Sequence, residues 1–167
     1  MEQAELKAAQ APLKERYRAE PEAARVTLRA EGRLGEAEVS CRVDTGRALV
    51  EAGLHPATGG TGLLACSGDM LLQALVACAG VTLAAVATAL GLEVRGTVHA
   101  EGDLDFRGTL GVGKEERVPV GFTAIRLRFA LDSHADEDSL ATLLRLTERY
   151  CVVYQTLAGG VPVDVSF

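Results

Sequence analysis

Four cysteines are the side chains in this sequence best suited to covalent chemistry, because a thiolate is a strong nucleophile and its sulfur can be oxidised and reduced reversibly. They are Cys41, Cys66, Cys78 and Cys151. Their spacing contains no C-x-x-C pair of the kind found in zinc sites, and the three histidines supply no H-x-x-x-H companion, so neither a metal nor another cofactor is expected. In a reducing compartment such cysteines are free thiols, most often buried and inert.

Cys78 lies at the midpoint of a segment, Met70 to Leu92, that contains no charged residue. The segment is long enough to cross a bilayer, but a helix that is hydrophobic on every face is also typical of an enclosed core helix. We favour the core helix, because the segment is rich in alanine and its flanks have the pattern of amphipathic strands. From the residues alone, Cys78 is a small hydrophobe in an apolar seam, where burial raises the pKa of a thiol.

A helix without a polar face needs more cover than a single domain of this size usually provides. A second subunit packed against this helix would supply the missing cover. Small residues along the segment would let another helix approach closely. They are Ala74, Ala77, Gly80 and Ala84. The sequence therefore indicates a helix pair between two copies of the chain.

The remaining sequence predicts an α+β domain with an antiparallel sheet. Alternating apolar and polar residues over 25–32 and 36–44, separated by Gly32 to Gly35, predict a hairpin. Further strands are predicted near 48–51 and over 92–105, 122–132 and 161–167. Ser67 or Asp69 is expected to cap the uncharged helix, which Gly91 ends. A second helix is expected to begin at Ser133 with an S-x-x-D cap, and its apolar stripe runs on to Cys151 and Tyr154.

Charge and composition narrow the classes of partner. The net charge of −6 argues against nucleic acid, because phosphate backbones are bound by clustered Lys and Arg. No basic run indicates a membrane-binding surface. The first residues alternate charge with alanine and lack the apolar core of a secretory signal, so a cytoplasmic location is expected. Residues 1–23 are predicted to form a polar helical arm and residues 24–167 a single domain.

The surroundings of two cysteines resemble a known pair of signatures. SGDMLLQALVACAGVTL around Cys78 and ERYCVVYQTL around Cys151 are similar to the two cysteine motifs of the OsmC/Ohr superfamily. In that family the first cysteine lies inside a long central helix and the second opens a short helix near the C-terminus. The resemblance covers residues 24–167. It implies an OsmC-like α+β fold, in which an antiparallel sheet wraps a long buried central helix within an intertwined homodimer.

The resemblance also implies a thiol-dependent peroxidase that takes part in the oxidative stress response. Cys78, as the thiolate, would attack an organic hydroperoxide and become a sulfenic acid, and Cys151 would condense with it to a disulfide. A dithiol reductant, such as a lipoylated protein, would then restore both thiols. Neither nucleic acid nor a membrane is expected as a partner. The alternative from another class is a non-catalytic OsmC-like dimeric module that binds a small apolar ligand.

In the hydroperoxide-resistance branch of the family, an arginine from the first hairpin activates the first cysteine, and a glutamate at the start of the central helix holds that arginine in place. Arg33, in the segment EGRLG, matches that arginine. The position of the glutamate is occupied by Gly68, and the nearest acid is Asp69. The resemblance therefore proposes four catalytic residues, namely Cys78, Cys151, Arg33 and Asp69. Position 152 is Val where many members of the family have proline.

Overall fold

The computed structural model describes residues 3–5, 8, 11, 32–34, 40–44, 49–111 and 117–167. For residues 32–34 and 40–44 only the backbone is described. The boundary predicted between residues 23 and 24 lies outside these ranges, although the described residues of the N-terminal arm are helical. The described chain mixes helices with sheets, so the predicted α+β class is confirmed. It divides into two compact units, and several elements run through both.

One unit contains a four-stranded sheet whose strands follow one another in sequence order. They are β1 (Gly32–Leu34), β2 (Ser40–Asp44), β3 (Leu49–Gly53) and β4 (Ala65–Cys66). The first three strands pair antiparallel, as predicted, whereas β4 pairs parallel to β3 through two residues. The predicted position of the hairpin turn was wrong. Residues Gly32 to Leu34 were expected to form the turn, but they form β1, where Arg33 pairs with Arg42.

The uncharged segment forms α1 (Ser67–Leu90). Gly91 ends it as predicted, with a φ of 71° that suits glycine. The amide of Gly91 donates to the carbonyl of Thr88 and the amide of Leu92 to that of Ala87, which is the paired bonding of a Schellman motif. By length and composition α1 could also span a membrane, a test that the core helix of a soluble protein passes as well.

Only one side of α1 is buried within the single chain. The four buried residues, called here the buried stripe, repeat every fourth position and are Leu75, Ala79, Leu83 and Ala87. An exposed face on another side, called here the exposed small-residue face, consists of Ala74, Ala77 and Ala84 together with Val81, whereas Gly80 of the predicted set is half-buried. The sequence predicted a helix enclosed all round, and the single chain encloses only the stripe, because no element described here covers the exposed face.

Two long strands follow α1. They are β5 (Arg95–Leu104) and β6 (Phe122–Asp132), which pair as a two-stranded sheet close to the predicted bounds. A short helix, α2 (Phe106–Thr109), lies in the connection between them, and the side chain of Asp105 accepts a hydrogen bond from the amide of Arg107 at its start. On the strands, Arg126 forms ion pairs with Asp103 and Glu101 at exposed positions.

Two helices complete the other unit, α3 (Glu137–Tyr150) and α4 (Val152–Gly159). Leu143 of α3 is fully buried and packs with Leu83 and Ala87 of α1, so the unit has a core between these helices. The cap of α3 is Asp136, whose side chain accepts from the amide of Ser139. The predicted cap at Ser133 was wrong, because α3 begins only at Glu137; the Ser133 hydroxyl donates to the carbonyl of Glu93 and accepts from the amide of Ala135.

The strand predicted over residues 161–167 is not formed. Its alternating pattern is present, and Val163, Val165 and Phe167 are all exposed. A strand needs a neighbour that takes up its backbone N–H and C=O groups, and within the described chain no strand pairs with this segment. The segment therefore has the residue pattern of a strand but lacks a partner strand within the described single chain.

Candidate functional site

Cys151 lies at a break between α3 and α4. Its φ of −73° and ψ of 107° are extended rather than helical, so Cys151 is both the C-cap of α3 and the N-cap of α4. Its amide donates to the carbonyl of Thr147, and its carbonyl accepts from the amide of Gln155. Its side chain is 1% exposed. The continuous stripe predicted from α3 on to Tyr154 was therefore wrong, because one extended residue separates two helices.

Cys78 lies at the middle of α1 and is half-buried. Its sulfur is hydrogen-bonded to the thiol of Cys151, within the same compact unit. Both residues are free thiols. The structure thus brings together the two cysteines whose motifs lie 73 positions apart in the sequence.

Three further groups contact the Cys78 sulfur. Hydrogen bonding from the backbone amides of Val153 and Val152 and from the hydroxyl of Thr82 lowers the pKa of its thiol. The two amides belong to the first turn of α4, where backbone N–H groups have no acceptor within the helix and the helix dipole is positive. The sulfur of Cys78 therefore supplies an acceptor for donors that the start of α4 leaves open.

These contacts move the pKa values of the two thiols in opposite directions. Burial alone would raise the pKa of Cys78, but hydrogen bonds from Val153, Cys151, Val152 and Thr82 together hold it below the ordinary value of a thiol. Burial raises the pKa of Cys151, and its hydrogen bond to Cys78 and the charge on that sulfur raise it further, against the amides of Tyr154 and Val153. The two directions favour ionisation of Cys78 over ionisation of Cys151.

The other two residues of the predicted catalytic set lie in the second unit. Arg33 belongs to β1, and its side chain is outside the described part of the structure. Asp69 lies in the first turn of α1 and is exposed. Gly68, which occupies the family's glutamate position, packs beside the sulfur of Cys66 and the ring of Phe122. The described contacts of the Cys78 sulfur include neither predicted residue.

Sequence reasoning missed Thr82, Val152 and Val153 as contributors to the site. Thr82 could have been found, because it follows Cys78 by four residues and so lies on the same side of the helix. The resemblance implied a short helix that begins at Cys151, but it did not imply that the amides of Val152 and Val153 lie beside the Cys78 sulfur. Within the described ranges, no cluster of three or more His, Cys, Asp or Glu side chains could hold a metal ion.

The remaining cysteines lie elsewhere. Cys66 ends β4 and is half-buried and free. Cys41 lies in β2, where it pairs with Ala52, and its side chain is among those not described. Neither observation gives these thiols a place in the site.

The sequence of this chain matches a known protein family. The family model for OsmC-like proteins matches residues 60–166, a range that contains Cys78, Cys151 and the whole of α1. No significant match is found among the curated proteins.

Solved structures similar to this chain carry the same fold. An OsmC-like protein from Mycoplasma pneumoniae has a TM-score of 0.65 at 18% identity, with 81% of this chain and 89% of that one covered. An OsmC-like protein of unknown function from Vibrio cholerae has a TM-score of 0.56 at 14% identity, covering 79% and 94%. The organic hydroperoxide resistance protein OhrB of Bacillus subtilis has a TM-score of 0.51 at 18% identity, covering 81% and 93%. At these identities the likeness shows the fold.

Proposed function

Because this chain belongs to the OsmC-like family within the OsmC/Ohr superfamily, we propose that it is a thiol peroxidase that reduces organic hydroperoxides. Cys78 is the nucleophile and Cys151 the resolving thiol. One observation carries the proposal: the sulfur of Cys78 lies against the thiol of Cys151 and the first amides of α4. A half-buried thiol of lowered pKa in contact with a second thiol is the arrangement that reversible two-cysteine chemistry needs.

The proposed cycle has three balanced steps. The Cys78 thiolate attacks the outer oxygen of the hydroperoxide, the O–O bond breaks, and the alkoxide leaves and takes a proton as an alcohol. Cys78 is then a sulfenic acid, and the thiol of Cys151 attacks its sulfur, releasing water and forming the disulfide. A dithiol donates two electrons and two protons by exchange, which returns both thiols and leaves the reductant as its own disulfide.

The environments of the two sulfurs support this assignment rather than the reverse. Cys78 is half-buried and has the lowered pKa, so at neutral pH it is the more ionised and the more accessible sulfur. Cys151 is 1% exposed and its pKa is raised. A buried neutral thiol is a poor first nucleophile, but it stays reduced until its neighbour is oxidised.

A stoichiometric oxidation tests the proposal. The purified chain is treated with one equivalent of cumene hydroperoxide, and its thiols are counted and its disulfides mapped by mass spectrometry. We expect one new bond, between Cys78 and Cys151, and one equivalent of alcohol. Cys78→Ser should not react, Cys151→Ser should stop at a sulfenic acid that dimedone traps, and Cys66→Ser is the control that should behave as the wild type.

Four persistent thiols after this treatment would refute the peroxidase and leave the alternative, a non-catalytic module with the same fold. The physiological reductant in the proposal is a dithiol, for example a lipoylated protein, and the location is the cytoplasm. Both follow from the family resemblance and the sequence. Turnover with reduced lipoamide, compared with a monothiol at equal concentration of reducing groups, tests the first of them.

The assignment of Arg33 and Asp69 as the activating pair is also part of the proposal and rests on the resemblance to the family. If it is correct, Arg33→Ala should lower the rate of peroxide reduction, and Asp69→Asn should lower it less, because its charge acts through the arginine. Equal rates for both variants and the wild type would remove these residues from the mechanism.

We also propose that the chain works as a homodimer joined along α1. The exposed small-residue face of α1 is free of charge, and Val81 at its centre is 72% exposed in the single chain. Small residues at helical spacing let two helices approach closely, and an uncovered apolar helix face of this length is typical of an interaction site.

Val81→Asp tests the dimer, with Val120→Asp as the matched control at a valine of similar exposure. Sedimentation should find a dimer for the wild type and for the control, and a weakened dimer for Val81→Asp. A wild-type monomer, or an undisturbed dimer in Val81→Asp, would remove α1 from the interface.

A further inference from the structure

Cys151, the proposed resolving thiol, lies at the break between α3 and α4, and two side chains of α4 bond back across that break. The hydroxyl of Tyr154 donates to Oε1 of Glu148 at 2.9 Å. The side-chain amide of Gln155 donates to the backbone carbonyl of Glu148, also at 2.9 Å. Glu148 thus accepts two hydrogen bonds from α4, and the three residues Glu148, Tyr154 and Gln155 are called here the clamp.

The clamp depends on the extended conformation of Cys151. In one continuous helix, residues six apart point to different sides, and residues seven apart are separated by about 10 Å along the axis. The ψ of 107° at Cys151 instead redirects α4 so that both of its side chains reach Glu148. The last carbonyls of a helix have no donor within that helix, and Gln155 supplies a donor to one of them.

The helix α4 has little packing of its own in the single chain. None of its eight residues, all within the described ranges, is buried. Residues 161–167, which follow it, pair with no strand of the described chain. A helix of about two turns is marginal by itself. The two hydrogen bonds of the clamp are therefore a large share of what fixes the helix that begins after Cys151.

The contact between Tyr154 and Glu148 is the charged half of the clamp. A hydrogen bond to a carboxylate is stronger than one between neutral groups. The same hydrogen bond, together with the charge of Glu148, raises the pKa of the Tyr154 hydroxyl. The hydroxyl therefore keeps its proton at neutral pH and remains a donor.

We propose that Tyr154 and Gln155 are positioning residues, which through the clamp hold Cys151 in place for the resolving step. In that step the Cys151 thiol attacks the sulfenic acid of Cys78, the S–S bond forms, the S–O bond breaks, and the hydroxyl leaves with the thiol proton as water. Holding the two sulfurs together raises the effective concentration of one at the other. The inference deepens the proposed function and rests on it for the identity of the resolving thiol.

The test measures the effective concentration of the two thiols in the full chain. Purified protein is equilibrated with mixtures of reduced and oxidised glutathione, and the fraction that contains the disulfide between Cys78 and Cys151 is measured by mass spectrometry. This equilibrium reports how well the fold holds the two sulfurs together and needs no peroxide. A merely structural loss of stability leaves it unchanged as long as the chain is folded.

Two clamp variants, their combination and one control are compared with the wild type. Tyr154→Phe removes the hydroxyl, and Gln155→Met removes the amide donor at similar length. Tyr150→Phe is the control, because it removes a hydroxyl from an exposed tyrosine outside the clamp. Each clamp variant should lower the effective concentration about threefold, the factor for one hydrogen bond of modest strength. The double variant should lower it about tenfold, and Tyr150→Phe should match the wild type.

Single turnover with cumene hydroperoxide gives the second readout. Release of alcohol reports the attack by Cys78, and formation of the disulfide reports the resolving step by Cys151. The double variant should slow disulfide formation about tenfold and alcohol release less, so that dimedone traps a longer-lived sulfenic acid. A disturbed fold would slow both steps alike, and that result would contradict positioning by the clamp.

A folded double variant with the effective concentration of the wild type overturns the inference, and so does a fall that Tyr150→Phe shares. Circular dichroism checks that each variant is folded. If the double variant does not fold, the two single variants give the same comparison, and unchanged values in both overturn it. A wild type that forms the disulfide in glutathione but ignores hydroperoxides, with the double variant still lower, would refute the proposed peroxidase and leave the clamp standing. The two failures are therefore distinguishable.

Discussion

Val152→Pro separates the electrostatic contribution of the start of α4 from its contribution to the fold. Val152 is the first residue of α4, the position where proline is most readily accepted in a helix. The residue before a proline must be extended, and Cys151 already has a ψ of 107°. The Val152 side chain is 71% exposed, so the substitution removes little packing. What it does remove is the amide proton that hydrogen-bonds to the Cys78 sulfur.

The expected size of the effect follows from the usual strength of one hydrogen bond to a charged group. One hydrogen bond to a charged group contributes about 1.5 kcal/mol at the low end of the usual range, which is the end appropriate to a large, diffuse acceptor such as sulfur. That energy corresponds to roughly a tenfold loss of thiolate at pH values well below the midpoint. The free energy of unfolding should change by no more than about 1 kcal/mol, because a compatible proline also restricts the unfolded chain.

The measurement pairs the pH profile of Cys78 alkylation with urea unfolding followed by circular dichroism. Val152→Ala is the matched control, since it shortens the same side chain and keeps the amide. We expect slower alkylation in Val152→Pro alone and similar unfolding midpoints in both. An unchanged profile would show that the Val152 amide does not keep the sulfur ionised, and a loss of several kcal/mol would contradict the extended geometry at Cys151.

Further predictions follow from the pair of thiols and from β5. Oxidation to a disulfide between Cys78 and Cys151 closes a loop of 73 positions, so the oxidised chain should gain roughly 4 kcal/mol of stability. In calorimetry it should unfold roughly 8 to 16 °C higher than the reduced chain. Equal melting temperatures would contradict the disulfide. Because the pKa of Cys78 is lowered and that of Cys151 is raised, their contribution to the free energy of unfolding should grow as pH rises towards the ordinary thiol value of 9.0 and shrink above it. Urea titrations across pH, with a Cys78→Ala/Cys151→Ala double variant as the reference, check this, and parallel curves would refute it. Gly96→Ala should destabilise the fold by about 2 kcal/mol or more, because Gly96 has a φ of 143° and an added Cβ would overlap the carbonyl of Ala130. Gly159→Ala is the control, because an added Cβ there would meet no atom within 4 Å.

The sequence predicted the elements whose signals are local and periodic. The bounds of β6 match the alternating segment 122–132, and the end of α1 matches Gly91. Both patterns are determined by neighbouring residues, namely a period of two in a strand and the positive φ that glycine accepts. The family resemblance added what such patterns do not contain, which is that Cys78 and Cys151 lie together.

Periodicity alone did not predict where α3 ends, although the family resemblance implied that a short helix begins at Cys151. The apolar stripe of α3 continues past Tyr150 without a glycine or proline, so no local signal marks the break at Cys151. That break frees the amides of Val152 and Val153, and their approach to the Cys78 sulfur depends on tertiary packing, which no local pattern contains. Likewise, residues 161–167 have a strand pattern, but pairing depends on a partner strand rather than on the segment itself.

The sides of α1 explain why this helix carries no charge. Successive helical residues are separated by about 100° around the axis, so the buried stripe and the exposed small-residue face lie on different sides, with Cys78 and Thr82 between them. A charge on the stripe would be buried without a partner, and a charge beside Cys78 would act on its thiolate. The exposed face alone could accept a charge if the chain worked as a monomer, yet it has none. A second copy packed on that face would account for this and would bring the partner subunit to the edge of the Cys78 site, so that assembly and reactivity at Cys78 would change together.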